Sequence, residues 1–375
     1  MRSRLGLLED QGYLERRVAD SLSGFRGLKE EGAIMRQKRI RGERTTLLDV
    51  ANKAGVSAIT VSRALREPDR VSEELRERIM KVVAETGYVP DFAARALASR
   101  HNGIVCALIP EVSSLAVMNI IHGIEARLQD TELRIQYANA WRDPEKEKRQ
   151  LELFLSQHPA GILVAGGQNQ QVIVDLVLGA KCPVVHMIDI NLTALGTVVG
   201  SDHCTAAKVA TRHLLECGYR RIAILGAGVD LRVQRRLEGY RVTLEEENLY
   251  DPRLVMMLPE PTSVPLGCRM LRDIVEQHPD VDAVFCLNDD LALGAYFECK
   301  RRGIRVPEDF GICGYNDVNF AAYAEPPLTT VRIPRYDMGY RATDLLIRQI
   351  NGEKGTKSID LGYRLMVRGT TRVPA

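Results

Sequence analysis

A chain of 375 residues exceeds one ordinary domain and reads as two or three. Its 45% hydrophobic and 27% charged content is globular, which excludes a disordered chain, and no apolar stretch approaches the roughly 18 residues of a membrane-spanning helix. The net charge of +2 is uneven: residues 35–102 carry 14 Lys/Arg against 9 Asp/Glu, whereas 103–375 carry 31 against 34, so positive charge gathers on the small N-terminal part that would meet phosphates.

Residues 1–44 show no clean periodicity and are expected to be a flexible leader. The basic cluster at 36–41 is either solvated or a phosphate-contacting arm, and a start at Met35 would leave a basic arm of ordinary length. The first residues lack the apolar core of a secretory signal. Three helices are then predicted. The first, 46–54, carries Leu47, Val50, Ala51 and Ala54 at helical spacing and stops at Gly55. The second, 57–65, opens on a Ser57 N-cap and buries Val61 and Leu65. The third, 72–86, runs through Leu75, Ile79, Val82 and Val83 to Gly87. Asp91 can cap a fourth, 92–99.

From Ile104 onward short apolar strands alternate with amphipathic helices. Strands are predicted at 104–109, 134–138, 161–165, 184–188, 222–225, 283–287 and 311–314. Helices are predicted near 117–129, 144–157, 170–179, 205–217, 233–247, 266–278 and 290–302. This alternation argues for parallel sheets covered on both faces, in two similar lobes, with ligands held in loops at the carboxyl ends of strands. The eight cysteines form no C-x-x-C pair and read as buried thiols of a reducing compartment, so the cytoplasm is expected and no metal or cofactor is implied.

The segment Gly55-Val56-Ser57-Ala58-Ile59-Thr60-Val61-Ser62-Arg63 has the form of a helix-turn-helix. Gly55 and Val56 make the tight turn, Ala58 and Ile59 are expected outside on the first turn of the second helix, within reach of thymine methyls, and Arg63 can reach a phosphate or a guanine. Together with Thr46-Leu47-Leu48-Asp49-Val50-Ala51, Val71-Ser72 and Gly87-Tyr88-Val89-Pro90, this segment resembles the headpiece of the LacI/GalR repressor family. Ala94-Arg95-Ala96-Leu97-Ala98-Ser99 resembles that family's hinge helix. The resemblance implies operator contacts from Ser57, Ala58, Ile59, Thr60, Ser62, Arg63 and Arg95, with Leu97 as a wedge between minor-groove base steps of a homodimer's double-stranded operator. The family usually has Asn where this chain has Asp91.

Further anchors of the resemblance are Arg236-Leu237-Glu238-Gly239-Tyr240, Asn288-Asp289-Asp290-Leu291 and Gly314-Tyr315-Asn316-Asp317. They imply an all-α helix-turn-helix headpiece (45–90), a hinge helix and linker (91–103) and a two-lobed domain like periplasmic sugar-binding proteins (104–375), with parallel sheets and three crossovers. The lobes are expected at 104–202 with 333–355 and at 203–331 with 357–375. Polar residues after strands mark the ligand site: Asp189, Arg232, Arg236, Asn288 and Asn316, suited to a polyol or acidic sugar. The family's ligand-contacting Arg and Asn fall on Arg236 and Asn288, and its Asp on the position of Asn316. Asp290 reads as a helix cap. Residues 285–299 and Leu361-Gly362-Tyr363 look most similar to gluconate-operon repressors, so gluconate, a ketogluconate or a phosphorylated relative is the expected effector. A periplasmic-type sugar-binding protein or a sugar-acting enzyme is the alternative. Against catalysis, Gly226-Ala227-Gly228 has Leu231 where a nucleotide loop needs its third glycine, and no nucleophile–base pair accompanies Asp289/Asp290.

Overall fold

The computed structural model describes residues 45–89, 102–112, 114–139, 143–165, 175–176, 178–191, 196–228, 230–355 and 357–374. The leader, the hinge helix with Arg95 and Leu97, and most of the helix expected near 170–179 therefore lie outside the described residues. The headpiece and the larger part are separate compact units.

In the headpiece, helix α1 (Leu47–Ala54) starts in a reciprocal capping box. Thr46 Oγ1 accepts from the Asp49 N–H at 3.3 Å, and the Thr46 N–H donates to the Asp49 carboxylate at 2.7 Å. Gly55 ends it at φ 68°, a conformation that costs a side-chain-bearing residue strain. Helix α2 (Ala58–Arg66) starts at Ser57, whose Oγ accepts from the Thr60 N–H at 3.2 Å. Helix α3 (Glu73–Thr86) has Ser72 at its N-cap without a side-chain hydrogen bond, and Glu73 and Glu74 still complement its dipole. Val50, Ala51, Ala54, Val61, Ala64, Ile79, Val82 and Tyr88 close one small core.

The larger unit begins with β1 (Ile104–Ile109), α4 (Leu115–Leu128), β2 (Arg134–Asn139), α5 (Pro144–Ser156), β3 (Gly161–Val164), β4 (Val184–Asp189) and β5 (Thr197–Ser201). It continues with α6 (His203–Glu216), β6 (Ile222–Ala227), α7 (Leu231–Glu246), β7 (Val255–Leu258), α8 (Val264–Gln277), β8 (Ala283–Cys286), α9 (Asp289–Arg302), β9 (Gly311–Asn316) and β10 (Thr329–Arg332). Helix α10 (Arg335–Ile350) and strands β11 (Ser358–Asp360) and β12 (Arg364–Met366) complete it. Two six-stranded sheets result, ordered β2-β1-β3-β4-β5-β11 and β7-β6-β8-β9-β10-β12, parallel throughout except that β12 runs against β10. The central strands β1, β3, β6 and β8 are apolar and buried because helices cover both faces, whereas the edge strands β2, β7, β11 and β12 are partly exposed.

Three crossings join the lobes. They run from β5 to α6, which packs on the second sheet, from β10 to α10, which packs on the first, and from β11 to β12. The last lies between Asp360 and Arg364, a few residues beyond the break expected near 356, because β11 pairs with β5. Helix α10 is absent from the sequence-based expectations and is central to the first lobe. Gly123 and Gly339 let it press against α4, since a Cβ at either would strike the partner's backbone at Tyr336 O or Ile120 O. The cysteines are free and buried or half-buried, and burial pushes the Cys106 thiol up to about 12, as expected of inert structural thiols.

Candidate functional site

In the headpiece, the apolar side of α2 (Val61, Ala64) faces the core, and the opposite side is left to solvent. Ile59 is 71% exposed there, and Arg63, one turn on, is exposed with it. Ser57 is exposed at the helix start, where its Oγ also lies 2.9 Å from Thr60 Oγ1; Thr60 and Ser62 are half-buried. Ala58 departs from the expectation. It packs against the headpiece core, leaving Ile59 as the apolar side chain that stands out on this turn.

The larger unit contains a cleft of about 490 Å³, part of it continuous with solvent. It lies at the carboxyl ends of β6, β8 and β9, with Ala227, Leu287, Asn288 and Asn316 on its wall, and faces the amino ends of α4 and α10 from the other lobe. Arg232, Arg236, Asn288 and Asn316, expected here from sequence, all line it. Asp189 does not. It is fully buried, and its carboxylate accepts from the backbone N–H of Asn191 at 2.9 Å and of His203 at 3.2 Å, which fixes the first crossing between lobes.

Sequence reasoning missed Arg335, Asp230, Ser114 and Thr262, which also line the cleft. Arg335 carried one legible signal: it opens α10, where the positive end of the helix dipole disfavours a cation, so another role must retain it. Asp290 lines the cleft too, and the cap of α9 is Asn288, whose Oδ1 accepts from the Leu291 N–H at 2.9 Å. Asp289 is structural: its buried carboxyl accepts from Thr330 Oγ1 at 2.6 Å and the Val318 N–H at 2.8 Å, and burial raises it to about 6.

The charges of the cleft do not cancel. Arg232 is paired with Asp230 at 2.9 Å; burial opposes its charge, and Asp230 together with the more distant Glu147 and Glu111 outweighs that burial. Arg236 donates to Leu287 O at 2.6 Å and lies 3.9 Å above the Tyr315 ring, whose hydroxyl is 2.7 Å from His203 Nδ1. Arg335 donates to Asn316 Oδ1 from the opposite lobe. Both are almost fully buried, and the Nε of each has no hydrogen-bond partner. Burial lowers the pKa of both, and for Arg335 the neighbouring Arg236 and Arg232 add to it, bringing it to about 9. Among the lining residues three guanidiniums therefore face two carboxylates, and the second, Asp290, is itself disfavoured as an anion by burial and by Glu111. Chemically, the residues that line this polar cleft carry one positive charge to spare, with Glu111 and Glu147 acting on Arg232 from behind them, and two buried N–H groups have no partner.

A family model described as bacterial regulatory proteins, lacI family, matches residues 46–91, and one described as a periplasmic binding protein-like domain matches residues 211–371. The chain is 36% identical over 329 residues to the HTH-type transcriptional regulator GntR of Pseudomonas aeruginosa, covering 88% of this chain and 96% of that protein. Among solved structures, a LacI-family transcriptional regulator from Silicibacter pomeroyi superposes with a TM-score of 0.81 at 29% identity, over 88% of this chain and all of that one. The transcription regulator GntR from Chromobacterium violaceum gives 0.69 at 37% identity, over 72% of this chain and 99% of that one. No helix among the described residues is long and apolar enough to cross a membrane.

Proposed function

Because the chain belongs to the lacI family of bacterial regulatory proteins, and so is a DNA-binding transcriptional regulator and not an enzyme, we propose that it is a repressor released from its operator by a gluconate-like sugar acid. The observation that carries the ligand class is the uncompensated positive charge of the cleft: Arg236 and Arg335 are buried, oppose each other, and each keeps an Nε–H without an acceptor. A carboxylate supplies the missing counter-charge, and each charge-assisted hydrogen bond to it is worth about 1.5–3 kcal/mol. The amides of Asn288 and Asn316 and the carboxylate of Asp290 suit the hydroxyls of the sugar chain. Resemblance to gluconate-operon repressors and similarity to the GntR regulators point the same way.

On the DNA side, the reading takes Ile59 and Arg63 as base-edge and phosphate contacts, with Ser57, Ala58, Thr60 and Ser62 supporting them, and Arg95 and Leu97 as the minor-groove contacts of a homodimer on a pseudo-palindromic site. A ligand bridging Arg236 in one lobe and Arg335 in the other closes the cleft and turns the lobes, weakening hinge pairing. By linkage, DNA must weaken ligand binding by the same factor. Isothermal titration with gluconate and with sorbitol, the same carbon chain lacking the carboxylate, tests the ligand class. Gluconate is expected to bind at least tenfold tighter, about 1.4 kcal/mol, and equal affinity for the two would sink the reading.

A further inference from the structure

Arg335 lacks the partner such a residue normally has. It is 6% exposed, sits at the positive end of α10, and has Arg236 and Arg232 for neighbours. A buried cation of this kind is ordinarily held by a carboxylate. Of the carboxylates close by in the fold, Asp290 also lines the cleft but is disfavoured as an anion by burial and by Glu111, and three others are engaged elsewhere. Asp230 pairs with Arg232, Asp289 accepts from Thr330 and Val318, and Asp317 is held by Arg332 at 2.6 Å and Arg368 at 2.8 Å. Arg335 instead donates to the amide oxygen of Asn316, the residue directly before Asp317.

The backbone explains how two adjacent residues divide this work. Asn316 and Asp317 have φ of 117° and 53°, the left-handed region that Asn and Asp tolerate best after Gly, and the turn sends their side chains to different arginines. An amide oxygen fixes a guanidinium by one hydrogen bond and leaves its charge intact. A carboxylate in the same place would fix it equally well and cancel the charge.

We propose that Asn316 is the positioning residue that makes the cleft select an acid: it holds Arg335 across the lobes as a neutral acceptor, so that the guanidinium's charge is kept for the ligand's carboxylate. This rests on the gluconate-type reading of the cleft and adds which atom sets the ligand's charge. Exchange of one NH2 for one oxygen at position 316 converts an acid-selecting cleft into one for neutral sugars.

The test compares the full-length protein with Asn316→Asp and Asn316→Gly, both compatible with the positive φ. Gluconate and sorbitol affinities are measured by titration calorimetry, and the ligand-free Tm by scanning calorimetry. Asn316→Asp is expected to weaken gluconate on the order of a hundredfold, to leave sorbitol little changed, and to raise the ligand-free Tm because a buried charge gains its counter-ion. Asn316→Gly loses the tether and the amide's contact with the sugar chain but leaves the charge of Arg335 intact, and is expected to weaken gluconate about tenfold while still preferring it to sorbitol. If the native protein prefers gluconate and Asn316→Asp does so equally, the cleft reading stands and this inference falls. Equal losses in the two variants, with an unchanged gluconate-to-sorbitol ratio, also overturn it. A native protein that binds both ligands alike overturns the cleft reading itself, and this inference with it.

Discussion

Replacing Arg335 with Met separates what the residue does for the fold from what it does for the ligand, because the two effects have opposite signs. Its surroundings hold the guanidinium at about 9 instead of the ordinary 12.5, which means that burial and the neighbouring arginines disfavour the charged form by on the order of 5 kcal/mol. Met keeps most of the volume and removes the charge; such exchanges of buried charges for apolar side chains stabilise proteins by roughly 1–4 kcal/mol. The hydrogen bond to Asn316 is lost, at about 1 kcal/mol, but that amide faces an open cleft and regains water. The net expectation is a ligand-free protein more stable by about 1–2 kcal/mol, and a Tm higher by roughly 2–4 °C for each of those. Gluconate loses a charge-assisted contact of about 1.5–3 kcal/mol, so its Kd rises roughly ten- to hundredfold. Scanning calorimetry with and without ligand reads both effects. A lower Tm together with an unchanged gluconate Kd would show that Arg335 is a structural residue, and would refute the reasoning from uncompensated charge.

Three further outcomes are expected. Arg236→Ala removes the guanidinium stacked on Tyr315, so operator binding should persist while release by gluconate is lost, as read by anisotropy of labelled DNA; response at the native ligand concentration would mean the site lies elsewhere. Leu97→Ala should weaken operator binding far more than binding to random DNA, because the wedge acts where the minor groove is opened; equal losses on both would remove that role. His186 is buried in β4, neither ring nitrogen has a hydrogen-bond partner, and burial lowers it to about 4. A histidine depressed in the folded state contributes stability above its unfolded value of 6.5 that is lost as pH falls toward 4, about 2 kcal/mol of it by pH 5. Urea midpoints at pH 7 and pH 5 should therefore differ less in His186→Met than in the native protein, and an identical difference in the two would contradict this.

What was legible in the sequence follows from how local each signal is. Thr46, Ser57, Gly55 and Gly87 speak through bonds within one turn of the chain, so the headpiece helices were readable to within a residue or two. Strand β1 was readable because all six of its residues are apolar. Helix α10 was not. Its opening Arg-Tyr-Asp-Met-Gly-Tyr-Arg is half polar and interrupted by Gly339, and its apolar face has meaning only against α4, more than two hundred residues earlier. Strands β5, β7 and β10 to β12 are short and lie at or near sheet edges, where three to five residues give no period to read. The same distinction runs through the site. Arg232, Arg236, Asn288 and Asn316 follow strands of one lobe, and position alone brought them to the cleft, whereas Arg335 reaches it through a crossing from the other lobe. Asp189 also ends a strand, but its carboxylate is taken by the N–H of Asn191, two residues on, and by that of His203, the first residue of α6.

The central claim is that DNA affinity is set by an acid bound in the cleft. Fluorescence anisotropy tests it most directly: the full-length protein is titrated onto a labelled duplex from the region upstream of its own gene, at two salt concentrations, alone and with saturating gluconate or sorbitol. The account predicts tight binding that weakens steeply with salt and is released by gluconate but not by sorbitol. Specific, salt-sensitive binding that ignores gluconate, or that sorbitol releases equally well, would contradict it.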